Sequence, residues 1–159
     1  LPISAVPERL AGALAKVLDM VQICPTALSQ RAATAALETD PAWDGARRAT
    51  LVPRRAQLLA AVARWREEGL PVRLWAEPDG AFYGLLVTEG GAAAGSRNSD
   101  GWMEELVLRD GVATVSGRAF GLAIPDASVL RVSYGMLADA ALEEALERLG
   151  GGLRRLIRG

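Results

Sequence analysis

The sequence predicts an α+β domain in which a small mixed sheet packs against helices. Apolar residues recur at helical spacing through most of residues 7–68, whereas residues 71–134 contain short runs rich in valine and leucine, separated by turns. A final amphipathic stretch follows from about Asp139. Helices that precede and follow a block of strands are typical of the α+β class, and 159 residues suffice for one domain with a true core.

The first third of the chain is predicted to be helical. Leucine and valine recur at helical spacing in residues 7–21, and Thr26 is suited to cap an alanine-rich helix over residues 27–37. A longer helix should run from about residue 44 to residue 68, and Pro53 should kink or divide it.

Four strands are expected near residues 71–75, 81–87, 112–116 and 129–134, with a helix over residues 100–109 between the second and the third. Residues 88–100 are rich in glycine, serine and alanine, which predicts a mobile surface loop. Three consecutive glycines at residues 150–152 each cost roughly 1 kcal/mol relative to alanine, so the last helix could break there.

The fourth predicted strand places one arginine among apolar residues. Because side chains alternate along a strand, Leu130, Val132 and Tyr134 should share one face, and Arg131 and Ser133 the other. A guanidinium stays charged and matches a carboxylate with two parallel hydrogen bonds. From the residues alone, the arginine could belong to a structural salt bridge, to a solvent-facing edge strand, or to a ligand site.

The turn with the sequence SGRAFG, residues 116–121, should place Phe120 near the ligand-facing edge of the domain. Its two glycines, Gly117 and Gly121, permit backbone dihedrals that other residues avoid. An ordinary turn at the exit of a strand could have the same composition, and that alternative requires no function.

Composition argues against several classes of function. The net charge of −1 provides no general field for nucleic acid or for an anionic membrane, and no apolar run is long enough for a membrane span. Histidine is absent and Cys24 is the only cysteine, so a disulfide within the chain and the usual zinc sites are ruled out. We expect Cys24 to be a small buried hydrophobe, and the chain to come from a reducing compartment, the cytoplasm.

Six segments, in the same order, resemble the C-terminal small domain of fold-type-I pyridoxal-phosphate-dependent aminotransferases, the aspartate aminotransferase superfamily (class I/II). They are residues 23–30 (ICPT to SQ), Arg54-Arg55 in the long helix, residues 78–83 (PDGAFY), the element from 111–112 (GV) to 120–121 (FG), residues 130–134 (LRVSY), and the terminal amphipathic helix. The resemblance covers nearly the whole chain. It implies a single domain, 1–159, that includes the end of the interdomain helical region, 1–40.

By motif position, the resemblance implies that Arg131 binds the α-carboxylate of the substrate and that Ser116, Phe120 and Gly121 lie in the substrate site. The family often has proline where this chain has Ser116. The family's Schiff-base lysine has no counterpart, because the only lysine, Lys16, is predicted to lie on a helix surface. We therefore assign no catalytic, cofactor-binding or metal-binding residue to this chain, and we expect it to be inactive alone.

The complete enzyme that the resemblance implies would use pyridoxal 5'-phosphate, which is not expected to bind this chain stably. Its reaction would convert α-amino acids and 2-oxo acids, and the sequence does not indicate which amino acid is used. The implied partners are an N-terminal large domain that binds the cofactor, a second subunit in a homodimer, and a small amino-acid substrate. Neither a membrane nor a direct nucleic-acid partner is expected.

Two other classes of function remain open. An aminotransferase-like domain can serve as the effector sensor of a transcription regulator, in which Arg131 would bind an effector without turnover. A non-catalytic interaction module could instead use the leucine stripe from Leu142 to Leu156 as its partner surface.

Overall fold

The computed structural model describes residues 6–21, 24–39, 41–89, 99–122, 124 and 126–158. The chain forms two compact units, residues 1–46 and residues 47–159. The described part of the first unit contains helices and short connecting segments, and all described strands belong to the second unit. Residues 1–40, which the resemblance assigns to the interdomain helical region, fall in the first unit. Most of the predicted loop at residues 88–100 lies outside the described residues.

The first unit contains the helices α1 (Glu8–Val21) and α2 (Ala27–Leu37). The predicted cap of α2 is confirmed, because the Thr26 hydroxyl accepts a hydrogen bond from the Ser29 N–H at 3.3 Å. Cys24 is exposed, so the expectation of a buried thiol is wrong. Neither helix of this unit buries a residue, so no core surrounds the thiol.

A third helix, α3, runs from Pro41 to Glu67 and crosses the boundary between the units. It begins three residues before the predicted start, because proline is well suited to the first turn of a helix. It continues through Pro53, so the predicted division is wrong. Pro53 is exposed, and water can therefore hydrogen-bond to the carbonyl group that the missing proline N–H leaves free.

The sheet has the strand order β1-β2-β4-β3, where β1 is Val72–Leu74, β2 is Tyr83–Glu89, β3 is Val115–Ser116 and β4 is Ala127–Ser133. All three pairings are antiparallel, so the α+β class is confirmed but the prediction of a mixed sheet is wrong. Helix α4 (Ser99–Glu105), extended by a π-helical turn (Leu106–Asp110), lies between β2 and β3 in the chain. These two strands run in the same direction, but β4 lies between them, so they form no parallel pair.

The final helix, α5 (Asp139–Arg158), packs with α3 against one face of the sheet. Its leucine stripe is buried, and it consists of Leu142, Leu146, Leu149, Leu153 and Leu156. Opposite these leucines, the core contains Leu58 and Trp65 from α3 and Leu86 and Leu130 from the sheet. Because the stripe is the inner side of the core, it is not available as the partner surface of an interaction module.

Three glycines do not interrupt α5, so the predicted break does not occur. A Cβ atom at Gly150 would lie 2.4 Å from the Trp65 Nε1, and one at Gly152 would lie 2.4 Å from the Leu106 Cδ2. Two of the glycines therefore allow close packing that compensates for their low helix propensity. In the described part of the chain, no helix combines the length and the apolar character that crossing a bilayer requires.

Candidate functional site

Arg131 lies on an inner strand of the sheet. On β4 it pairs with Leu85 of β2 on one side and with Val115 of β3 on the other. The alternative of an edge strand is therefore wrong. The predicted alternation is confirmed, since Leu130 and Val132 are buried in the core, whereas Arg131 is half-buried and lies on the opposite face of the sheet.

Arg131 differs in its electrostatic surroundings from Arg54 on α3 and from Arg73, the other arginine in the described strands. Arg54 pairs with the Asp139 carboxylate at 2.8 Å, and Arg73 pairs with Glu89 at 2.7 Å. Among the described residues, no carboxylate forms a salt bridge with Arg131, and its Nε is buried without a hydrogen-bond acceptor. Arg131 therefore forms no structural salt bridge within the part of the chain that the structure describes.

Two aromatic rings contact the guanidinium of Arg131. Its Cζ atom lies 5.1 Å from the centroid of the Tyr83 ring and 5.2 Å from that of the Phe120 ring. Both distances fall in the range of cation–π interactions, which attract the cation without neutralising it. We call these two residues the aromatic frame. It restrains the guanidinium while leaving its charge available to an anion.

Phe120 reaches Arg131 because a 3₁₀ turn, Gly117–Phe120, follows β3 directly. The Ser116 hydroxyl caps this turn by accepting a hydrogen bond from the Arg118 N–H at 3.3 Å, and Gly121 ends it with a φ of 74°. Ser116 is buried and pairs with Leu130, which places it on the core face of the sheet. The structure therefore brings Phe120 to Arg131, whereas Ser116 and Gly121 shape the turn that carries it.

Tyr83 was not singled out by the sequence. Tyr83 begins β2 and pairs with Ser133 of β4. Because it lies two positions before Leu85, the partner of Arg131, it is on the same face of the sheet as Arg131. The Phe82 carbonyl fixes this strand start by accepting hydrogen bonds from the Tyr134 N–H at 2.8 Å and from the Ser133 hydroxyl at 3.3 Å. Only the strand register could have identified Tyr83, and a single sequence does not specify that register.

The segment that precedes Tyr83 is tied to α3 and to the core. Arg55 donates a hydrogen bond to the Pro78 carbonyl at 2.6 Å and pairs with Glu77 at 2.7 Å. The buried Tyr134 hydroxyl donates to the Ala81 carbonyl at 3.4 Å. Burial raises the pKa of Tyr134, and the positive charge of Arg55 opposes part of that rise.

The raised pKa of Tyr134 predicts a loss of stability in alkaline solution. The unfolded chain would release this proton first, near about pH 10, so the contribution is complete below that pH and is lost as the pH rises through the folded-state pKa. We expect the free energy of unfolding in urea to fall less steeply between about pH 9.5 and pH 11 in Tyr134→Phe than in the wild type. Equal slopes for the two proteins would contradict the prediction.

The chain matches no protein-family model. It is similar to the aspartate aminotransferase of Rhizobium meliloti, with 34% identity over 156 residues that cover 94% of this chain and 36% of that protein. The aromatic aminotransferase ISS1 of Arabidopsis thaliana is 30% identical over 162 residues, which cover 96% of this chain and 36% of that protein. The chain thus spans about a third of the length of the curated relatives it matches.

A solved structure extends the similarity to the fold. The crystal structure of the aromatic aminotransferase from Pyrococcus horikoshii OT3 matches with a TM-score of 0.60 and 28% identity, covering 95% of this chain and 37% of that one. Sequence and fold agree over nearly the same residues. Over nearly its whole length the chain is therefore similar to aminotransferases, of which it spans about a third of the length.

Proposed function

We propose that this chain is the C-terminal, substrate-carboxylate-binding part of a pyridoxal-phosphate-dependent aminotransferase that acts on α-amino acids and 2-oxo acids. One observation carries the proposal: the Arg131 guanidinium lies against two aromatic rings and has no carboxylate partner among the described residues. The motif position of Arg131 in the LRVSY segment supports the same assignment.

A substrate carboxylate would supply the negative charge that Arg131 lacks in this site. Taking a guanidinium partly out of water is costly unless an anion or hydrogen-bond acceptors replace the water. A carboxylate can accept two parallel hydrogen bonds from the planar fork, which sets both its position and its orientation. Arg131 would therefore orient the substrate for the reaction without taking part in proton transfer.

The residues of this site do not fit the cofactor itself. Pyridoxal phosphate supplies an electron sink when it is bound in an aminotransferase, and it requires a lysine amine for its attachment. The only lysine of this chain, Lys16, is exposed on α1 in the other compact unit. We propose that the large domain provides both the cofactor site and the catalytic lysine, so this chain alone is inactive.

The remaining partners belong to the same proposal. They are the N-terminal large domain, a second subunit in a homodimer, and a small amino-acid or 2-oxo-acid substrate. We also propose a cytoplasmic location, because a chain with a single exposed thiol is typical of a reducing compartment.

Nuclear magnetic resonance of the arginine Nε–H groups tests the carboxylate site directly. Addition of sodium acetate, at an ionic strength held constant with chloride, should shift the Arg131 signal in a saturable manner. The Arg73 signal is the matched control, because Arg73 lies on the same face and over an aromatic ring at 6.0 Å but is already paired with Glu89. An Arg131 signal that acetate does not move would contradict the proposed function.

A further inference from the structure

Two exposed aromatic residues contact Arg131, and a third packs against one of them. Phe82, Tyr83 and Phe120 are 48%, 37% and 49% exposed, and the Phe82 and Tyr83 rings meet edge to face at 5.7 Å. The two residues that pair with Arg131 across the sheet, Leu85 and Val115, are half-buried and apolar. A ligand bound to this guanidinium would therefore contact apolar surface next to its carboxylate.

Among the described residues, the two other arginines near this surface are each paired with a carboxylate. Arg73 is paired with Glu89, and Arg118, two residues before Phe120, is paired with Asp100 at 3.1 Å. Within the ranges that the structure describes, Arg131 is thus the arginine of this face that lacks a carboxylate. A ligand with a second carboxylate would find no unpaired cation here, and it would have to place that charge beside exposed rings.

We propose that this site selects monocarboxylates with an apolar, preferably aromatic, side chain over dicarboxylates. The inference rests on the proposed function and narrows its substrate class. Both residues of the aromatic frame contact the guanidinium and are more than one third exposed, so part of their surface remains accessible to a ligand. A single favourable aromatic contact strengthens binding by about two- to tenfold.

Three carboxylates test this selectivity in the same Nε–H titration of the chain. At equal pH and ionic strength, 3-phenylpropanoate should bind at Arg131 at least about threefold more tightly than acetate. The association constant of succinate is divided by two, because succinate has two equivalent carboxylates. The corrected constant should be no larger than that of acetate. This comparison uses only the wild-type protein, so it does not depend on the folding of any variant.

Variants assign the preference to the rings. In Tyr83→Leu and in Phe120→Leu, the ratio of phenylpropanoate to acetate affinity should fall toward one. In Trp75→Leu it should stay unchanged, because that exposed ring lies over Arg73 and does not contact Arg131. An unchanged ratio in both ring variants would show that the aromatic frame is not the source of the preference, which would overturn the inference.

The possible failures are distinguishable. If acetate shifts the Arg131 signal but phenylpropanoate binds no more tightly, the substrate class is wrong while the carboxylate site stands. Tighter binding of succinate than of phenylpropanoate would likewise overturn the substrate class and leave the carboxylate site intact. If no carboxylate shifts the signal, the proposed function itself fails.

Discussion

Substitution of Gly150 by alanine should lower the free energy of unfolding by about 1–3 kcal/mol, although alanine is the better helix former. The added Cβ would lie 2.4 Å from the Trp65 Nε1 and 2.9 Å from its Cε2. Trp65 belongs to α3, and its side chain is fully buried against α5, so its rigid indole cannot move without disturbing the surrounding leucines. Urea unfolding followed by tryptophan fluorescence measures the loss.

The neighbouring glycine offers a matched control on the same helix. A Cβ at Gly151 would meet no atom within 4 Å, and that residue is exposed. Gly151→Ala should therefore raise the free energy of unfolding by about 0.5–1 kcal/mol through helix propensity alone. If both alanine variants were stabilised equally, the close packing of α5 against Trp65 would be wrong.

The three consecutive glycines of α5 also show a limit of inference from sequence. Propensity assigns the same cost to every glycine of the run 150–152, and it therefore favours a break in the helix. The outcome depends on residues far away in the chain, namely Trp65 and Leu106, against which two of the glycines pack. Features set by local chemistry were easier to predict: the Thr26 cap and the leucine stripe of α5 are both as expected.

Some residues of the candidate site are likewise placed by local sequence, and another is placed by a long-range strand pairing. Alternation along one strand was sufficient to place Arg131 opposite the core, and a local turn carries Phe120. Tyr83 enters the site through the register between β2 and β4, two strands that lie far apart in the chain. The same long-range pairing places β4 between β2 and β3 and makes the sheet wholly antiparallel. Neither outcome is encoded in a short stretch of sequence.

The functional test with the largest expected effect uses the complete aminotransferase proposed for this chain. In that enzyme, Arg131→Ala should raise the KM for the amino acid by about thirty-fold to several thousand-fold, which corresponds to the roughly 2–5 kcal/mol typical of a lost desolvated charge pair. The absorbance of the bound cofactor should stay unchanged, since no residue of this site is assigned to holding it. Arg73→Ala is the control, because the Arg73 charge is already paired with Glu89 and its removal should leave the KM nearly normal.

The conservative variant separates the charge of Arg131 from its shape. Arg131→Lys keeps the positive charge but replaces the planar fork with a single ammonium group, which cannot form two parallel hydrogen bonds to one carboxylate. If Arg131 positions the substrate through this fork, lysine should restore only a small part of the lost affinity. Full recovery with lysine would mean that charge alone is sufficient. A normal KM in Arg131→Ala would instead place the carboxylate elsewhere in the enzyme, and the unpaired guanidinium in its aromatic frame would then need a different ligand.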